Sequence, residues 1–249
     1  MSKGLILREF DEAGDAARLA GWINQTGVAV DPALAEGERW LIAADAAGRA
    51  QACLRLRSRL GLGPLPRYCY HVGRAVHASA ELGLFKCQAT LLLGNDHSGD
   101  SELADLACDE GWAEPVEALR LLVAHALAQV RAQPSRHGQR LVVELAGTRD
   151  AGSGLAPFWQ GLGRHFYAGD LAQAQARWGA AWPSHLAALL PRQTLYLSFL
   201  DPAAQAVVGQ VGASGQNAAA ALAGSGFAYG QHVRIDDGGP LWELGLAQY

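Results

Sequence analysis

The chain has 249 residues, half of them hydrophobic, 18 % charged, with a formal net charge of −4. That length supports one large domain or two small ones with ample core. The weakly acidic balance gives no electrostatic reason to expect nucleic acid or an anionic membrane as partner, and no general attraction for a polyanionic cofactor, so any such site must be built locally. The four cysteines, Cys53, Cys69, Cys87 and Cys108, form no CxxC pair and are expected as reduced thiols, with no metal site. No apolar signal run opens the sequence, and no segment approaches the roughly 18 uninterrupted apolar residues of a membrane span, so a cytoplasmic location is expected.

In chain order, residues 5–8 read as a short strand. Asp11 then caps a helix with Ala16, Leu19, Ala20 and Ile23 at helical spacing. Residues 39–44 and 50–60 read as a hairpin turning at Asp45–Gly48. Arg55, Arg57 and Arg59 alternate along its second strand and would share one face, a solvated one or an anion or partner contact. Residues 68–76 and 103–108 read as further strands. A helix follows with Val116, Leu119, Leu122, Val123, Ala126, Leu127 and Val130 on its apolar side, and then a strand over 141–146. The polar, glycine-rich run 148–154 is the expected link between an N-terminal half, 1–147, and a C-terminal half, 155–249. Beyond it the pattern predicts a helix around Phe158 and Trp159, a helix over 186–190 ended by Pro191, and a strand over 195–200. Asp201 and Pro202 open another helix, residues 216–223 an alanine-rich one, and the last strand covers 227–235.

Long motifs run through this pattern: VHASAELGLFKCQATLLLGNDHSGDSEL from Val76, PFWQGLGRHFY from Pro157, AQAVVGQV from Ala204, and GFAYGQHVRIDDGGP from Gly226. Together they resemble the arginine N-succinyltransferase family over most of the chain. The resemblance implies a mixed α/β fold of the acyl-CoA N-acyltransferase type, a mixed sheet flanked by helices with two similar halves. It also implies transfer of succinyl from succinyl-CoA, a co-substrate and not a covalently held cofactor, to the α-amine of arginine. By the same resemblance Leu106 occupies the position that contacts succinyl-CoA, and Asp96 and Glu102 are candidates to bind the guanidinium, which favours paired carboxylates.

Three departures from the family pattern touch the chemistry. The family's GQVHP is Gly209-Gln210-Val211-Gly212-Ala213 here, so Gly212 stands where the family carries its proton-donating histidine. His77 and His97 are the candidate substitutes. The region that carries the family's acceptor-side motif is shortened near Asp31-Pro32-Ala33. The helix that should seat the cofactor's pyrophosphate begins Glu114-Pro115-Val116-Glu117, without the family's glycines or basic run. Two like charges about 6 Å apart cost roughly 3 kcal/mol at an effective dielectric near 20, which would weaken binding about a hundredfold. Two readings follow: an acyltransferase that uses another proton donor, or a non-catalytic partner subunit of an active, homologous succinyltransferase. Either is expected in a homo- or hetero-oligomer.

Overall fold

The computed structural model describes residues 4–62, 66–169 and 171–246. In chain order the elements are β1 (Ile6–Arg8), α1 (Glu12–Leu19), β2 (Glu38–Ala44), β3 (Ala50–Arg57), β4 (Cys69–Ser79), β5 (Leu84–Gly94), β6 (Ser101–Cys108), α2 (Pro115–Ala132), β7 (Arg140–Glu144) and α3 (Pro157–Gly161). Then come α4 (Leu171–Trp178), α5 (Trp182–Ala187), β8 (Leu195–Tyr196), α6 (Pro202–Val207), α7 (Gln216–Leu222), β9 (Ala228–Val233) and β10 (Pro240–Gly245). All ten strands join one sheet in the order β1-β2-β3-β6-β7-β10-β9-β4-β5-β8. Every ladder is antiparallel except that between β6 and β7.

The helix periodicity translates directly into packing. In α2, Ala118, Leu119, Leu122, Val123, Ala126, Leu127 and Val130 are buried, and they meet α7 over β3, β6 and β7. Fully burying each of the larger of these side chains is worth about 1.5–3 kcal/mol. A second cluster, rich in aromatics, joins Phe158 and Trp159 of α3 and Trp182 of α5 to Tyr70, Leu91 and Val233 on the far strands. A third packs Leu19 and Trp22 against Trp40, Ile42 and Cys53. Asp11 caps α1 as expected, its side chain accepting the Ala13 N–H.

Several elements depart from the expectation. The strand expected over 195–200 is only Leu195–Tyr196, followed by a 3₁₀ turn over Leu197–Phe199. Asp201 sits at the N-cap of α6 without a side-chain capping bond. Two strands had no separate signal. β5 pairs along the whole length of β4, and β10 follows the Asp237-Gly238-Gly239 turn to pair with both β9 and β7. The arginines of β3 do not line a solvated face. Arg55 is 5 % exposed and bound to Glu38 and Asp105, and Arg57 is bound to Glu38 and Glu102.

The three glycines 147, 212 and 239 explain why the terminal motifs read as they do. A Cβ on Gly239 would collide with the Leu145 carbonyl, one on Gly147 with the Asp237 carbonyl, and one on Gly212 with the Gly147 carbonyl. The backbone after β7 is therefore clamped between two other backbone segments that tolerate no side chain.

Candidate functional site: a cleft between two parting strands

β6 and β7 pair only at Ser101↔Leu141 and Glu102↔Val142. Beyond that point the parallel strands part. Their unpaired amides must find other partners, because a buried N–H left without one costs about 1–3 kcal/mol. The loop after α1 supplies them. Gln25 is 2 % exposed; its side-chain oxygen accepts the Leu106 N–H at 2.9 Å, and its backbone carbonyl accepts the Ala146 N–H at 2.9 Å. From the other side the Gly212 N–H donates to the Ala146 carbonyl at 2.7 Å. A short bridge between Ile23 and Ala29 folds this loop back on itself, and the Asn24 side chain closes it by accepting from Thr26 and Val28.

The bend in β6 is local and visible. Asp105 has φ +49°, a conformation disfavoured for a residue with a Cβ, and the β3–β6 register shifts beside it. Asn24 donates to its carboxylate at 2.6 Å and Arg55 lies at 2.8 Å. These partners hold a strained backbone of the kind that clusters at functional sites.

Two cavities adjoin the Gln25 bridge: Gln25 lines the first, and Leu106, whose N–H it takes, lines the second. On one side, about 280 Å³ is lined by Asn24, Asp31, Arg57, Arg67, Glu102, Glu144 and Arg234 among others. Its buried carboxylates are paired with arginines. Glu102 accepts from Arg57 at 2.7 Å and Arg67 at 3.3 Å, and Glu144 from Arg67 at 2.7 Å and Arg234 at 3.2 Å. Arg234 also binds Asp236 at 2.6 Å and Asp237 at 3.0 Å. Burial alone would raise Glu102, but Arg67 and Arg57 hold it below the usual carboxylate range. Burial prevails at Asp236, which is raised despite Arg234 and is pushed further by Asp237. The result is a guanidinium held in a carboxylate cage by the chain's own Arg234.

On the other side, about 180 Å³ is lined by Leu106, Asp109, Glu110, Trp112, Pro115 and Ser214 among others, with no basic residue in the lining. Asp109 is neutralised by Arg18, and Glu110 is exposed. Helix α2 opens here with Pro115 in its first turn, and Glu114 makes no capping bond. Glu117 is paired with Arg120, and both are about half exposed, so the repulsion expected from the helix start rests mainly on Glu114.

Of the residues singled out from sequence, the cleft gathers Glu102, Leu106 and the Gly212 backbone. Leu106 is 2 % exposed and belongs to the main core as well as to the smaller cavity. Asp96, His77 and His97 do not line the cleft. His77 lies on β4 opposite Lys86 with its ring 5.6 Å from Tyr196, and His97 is buried beside His232. Sequence reasoning missed Asn24, Gln25, Arg67 and Glu144.

A mixed sheet whose central parallel strands part around a cleft, with a helix running from the end of the first, is an acyl-CoA N-acyltransferase-like fold. Within that class the chain belongs to the family described as arginine N-succinyltransferase beta subunit, whose sequence profile matches residues 14–248. The arginine N-succinyltransferase of Enterobacter sp. (strain 638) is 38 % identical over 178 residues, 72 % of this chain and 51 % of the relative. That of Salmonella paratyphi B is 36 % identical over 181 residues, 73 % of this chain and 52 % of the relative. The chain thus spans about half the length of the curated relatives it matches. The solved structure of arginine/ornithine succinyltransferase subunit AI from Pseudomonas aeruginosa superposes with TM-score 0.77 at 24 % identity, covering 97 % of this chain and 76 % of that one. Among the described residues no helix is long and apolar enough to cross a membrane.

Proposed function

We propose that this chain is a non-catalytic member of the succinyltransferase family that acts as a partner subunit of an active relative. The observation that carries this reading is Arg234. A substrate arginine would need carboxylates of the cleft, and Arg234 already occupies those of Glu144, Asp236 and Asp237. Three further features support it. The Leu106 amide, on the strand that the family resemblance sets beside the acyl-CoA arm, is taken by Gln25. The cavity beside it offers no basic residue to a pyrophosphate. No proton-transferring side chain fits at Gly212 without moving the Gly147 backbone.

The scaffold meanwhile presents a surface suited to a partner. Leu82 at 79 %, Phe85 at 75 % and Phe199 at 85 % exposure lie in and beside the β4–β5 hairpin, whose outer edge pairs with the two-residue strand β8. The test is twofold: incubation of the purified chain with succinyl-CoA and arginine, followed for free CoA thiol, and co-expression with a histidine-bearing relative. No thiol release by the chain alone, with recovery of a complex, is the expected result. The second reading, an active acyltransferase, is favoured by the neutralisation of Glu117 by Arg120, which lightens the charge at the α2 start. Under that reading succinyl-CoA is the donor, Glu102 helps hold the arginine guanidinium, and thiol release appears without a partner.

A further inference from the structure

Away from the cleft, three side chains from distant parts of the sequence converge. Cys69 opens β4, His97 lies in the turn three residues after β5, and His232 is on β9. Strand pairing brings them together: Cys69 is opposite Gly94 at the end of β5, and His71, two residues further along β4, is opposite His232. Cys69 Sγ and one nitrogen of each histidine all lie within 4.8 Å of one another, and all three residues are buried.

The hydrogen bonds of the two imidazoles fix which nitrogens face the centre. His97 Nδ1 lies 3.1 Å from the Asp100 carboxylate, and His232 Nδ1 lies 2.8 Å from the Gly230 carbonyl. Both neighbours are acceptors, so each Nδ1 carries a proton and each Nε2 is the nitrogen left to face the centre. His97 Nε2 has no hydrogen-bond partner although the residue is 2 % exposed. His232 Nε2 faces the Asp96 carboxylate at 3.1 Å, a spacing that a shared proton or a bound cation would bridge. A histidine whose Nδ1–H is held by a carboxylate or carbonyl while Nε2 points inward is the arrangement that orients a metal ligand.

We infer that Cys69 Sγ, His97 Nε2 and His232 Nε2 form a three-ligand binding site for a borderline-soft divalent cation such as Zn²⁺, and that the half-exposed Asp96 carboxylate, 3.1 Å from His232 Nε2, moves toward the three to become the fourth ligand. One sulfur, two imidazole nitrogens and a carboxylate match the ligand preference of zinc and are too soft for magnesium or calcium. Zinc bonds of 2.0–2.3 Å require ligand atoms about 3.5 Å apart, so the site closes by about 1 Å on loading. Asp96 is half exposed and also lines a surface cavity of about 590 Å³ with Ser98, Asp100 and Arg140. Zinc and cobalt bind cysteine as the thiolate, so loading releases the Cys69 proton. Loaded, the ion would pin β4, the turn after β5 and β9 to one another, two residues from the Arg67 that bridges Glu102 and Glu144.

The experiment is an anaerobic titration of the metal-stripped full chain with Co²⁺ in a Cys87→Ser background, which removes the exposed thiol. Expected are saturation at one ion per chain, a thiolate-to-cobalt charge-transfer band in the near ultraviolet and the intense visible bands of four-coordinate cobalt. Zn²⁺ displaces the cobalt and raises Tm. Cys69→Ser loses the charge-transfer band, His232→Gln loses saturable binding, and Asp96→Asn weakens binding about tenfold or more. Should either of the first two variants fail to fold by circular dichroism, the charge-transfer band of the Cys87→Ser protein and the zinc shift in its Tm decide alone. Absence of one-to-one cobalt binding, binding without a thiolate band, or undiminished binding by folded His232→Gln would overturn the assignment.

Discussion

Gln25 Oε1 lies 2.9 Å from the Leu106 nitrogen and is the partner that β6 finds where β7 leaves it. The same residue's carbonyl takes the Ala146 N–H, so one glutamine bridges both parting strands. Replacing it with alanine leaves the buried Leu106 amide without a partner. Gln25→Ala should lower stability by about 1–3 kcal/mol, read as a lower midpoint in urea at unchanged slope. An unchanged midpoint would show that the bridge is ornamental.

Gly212 presses on the Gly147 carbonyl, and the consequence is steric before it is chemical. Gly212→Ala should destabilise by about 1–3 kcal/mol, as overpacking of a tight contact does. Gly212→His should cost at least as much and should not confer release of CoA from succinyl-CoA. Thermal unfolding and a thiol assay check the two halves separately. A stable, active Gly212→His protein would mean that the cleft is otherwise intact.

Arg234 serves three buried carboxylates, those of Glu144, Asp236 and Asp237. Arg234→Met removes the cation and leaves the acids uncompensated, a change worth about 3–5 kcal/mol. The loss should shrink in an Arg234→Met/Asp236→Asn double variant, because one of the carboxylates left without its cation is then a neutral amide. Additive losses in that cycle would contradict a shared cage.

His137, 6 % exposed and bonded to Ser101, is held below the usual histidine range by burial first, and then by Arg39, Arg136 and Arg59. The folded state therefore prefers the neutral ring. Its contribution is fully present above the unfolded value of about 6.5 and is lost as pH falls through the lower folded value. Tm should drop between pH 7 and pH 5, and less so in His137→Gln. Equal drops in both proteins would remove His137 from the account.

The local elements were legible because their periodicity is strong. The apolar stripe of α2, the Asp45–Gly48 turn and the Asp11 cap all stand where spacing and turn chemistry put them. Leu106 and Glu102, named from the family resemblance, each line a cavity beside the parting strands. What could not be read was long-range. Nothing near Gln25 reveals that it will meet Leu106, 81 positions away, and nothing near Arg67 reveals Glu144. The alternation of Arg55 and Arg57 gave the right face but the wrong environment, since only the fold brings Glu38, Glu102 and Asp105 onto it. Cys69 looked isolated for the same reason.

The central claim is that the cleft has no seat for an acyl carrier. Calorimetric titration of the full chain with coenzyme A tests it most directly, because binding is read without any assumption about turnover. The account predicts no saturable heat at ligand concentrations that would fill a micromolar site. One-to-one micromolar binding, abolished when CoA is replaced by its dephosphorylated pantetheine arm, would contradict it and restore an active acyltransferase to first place.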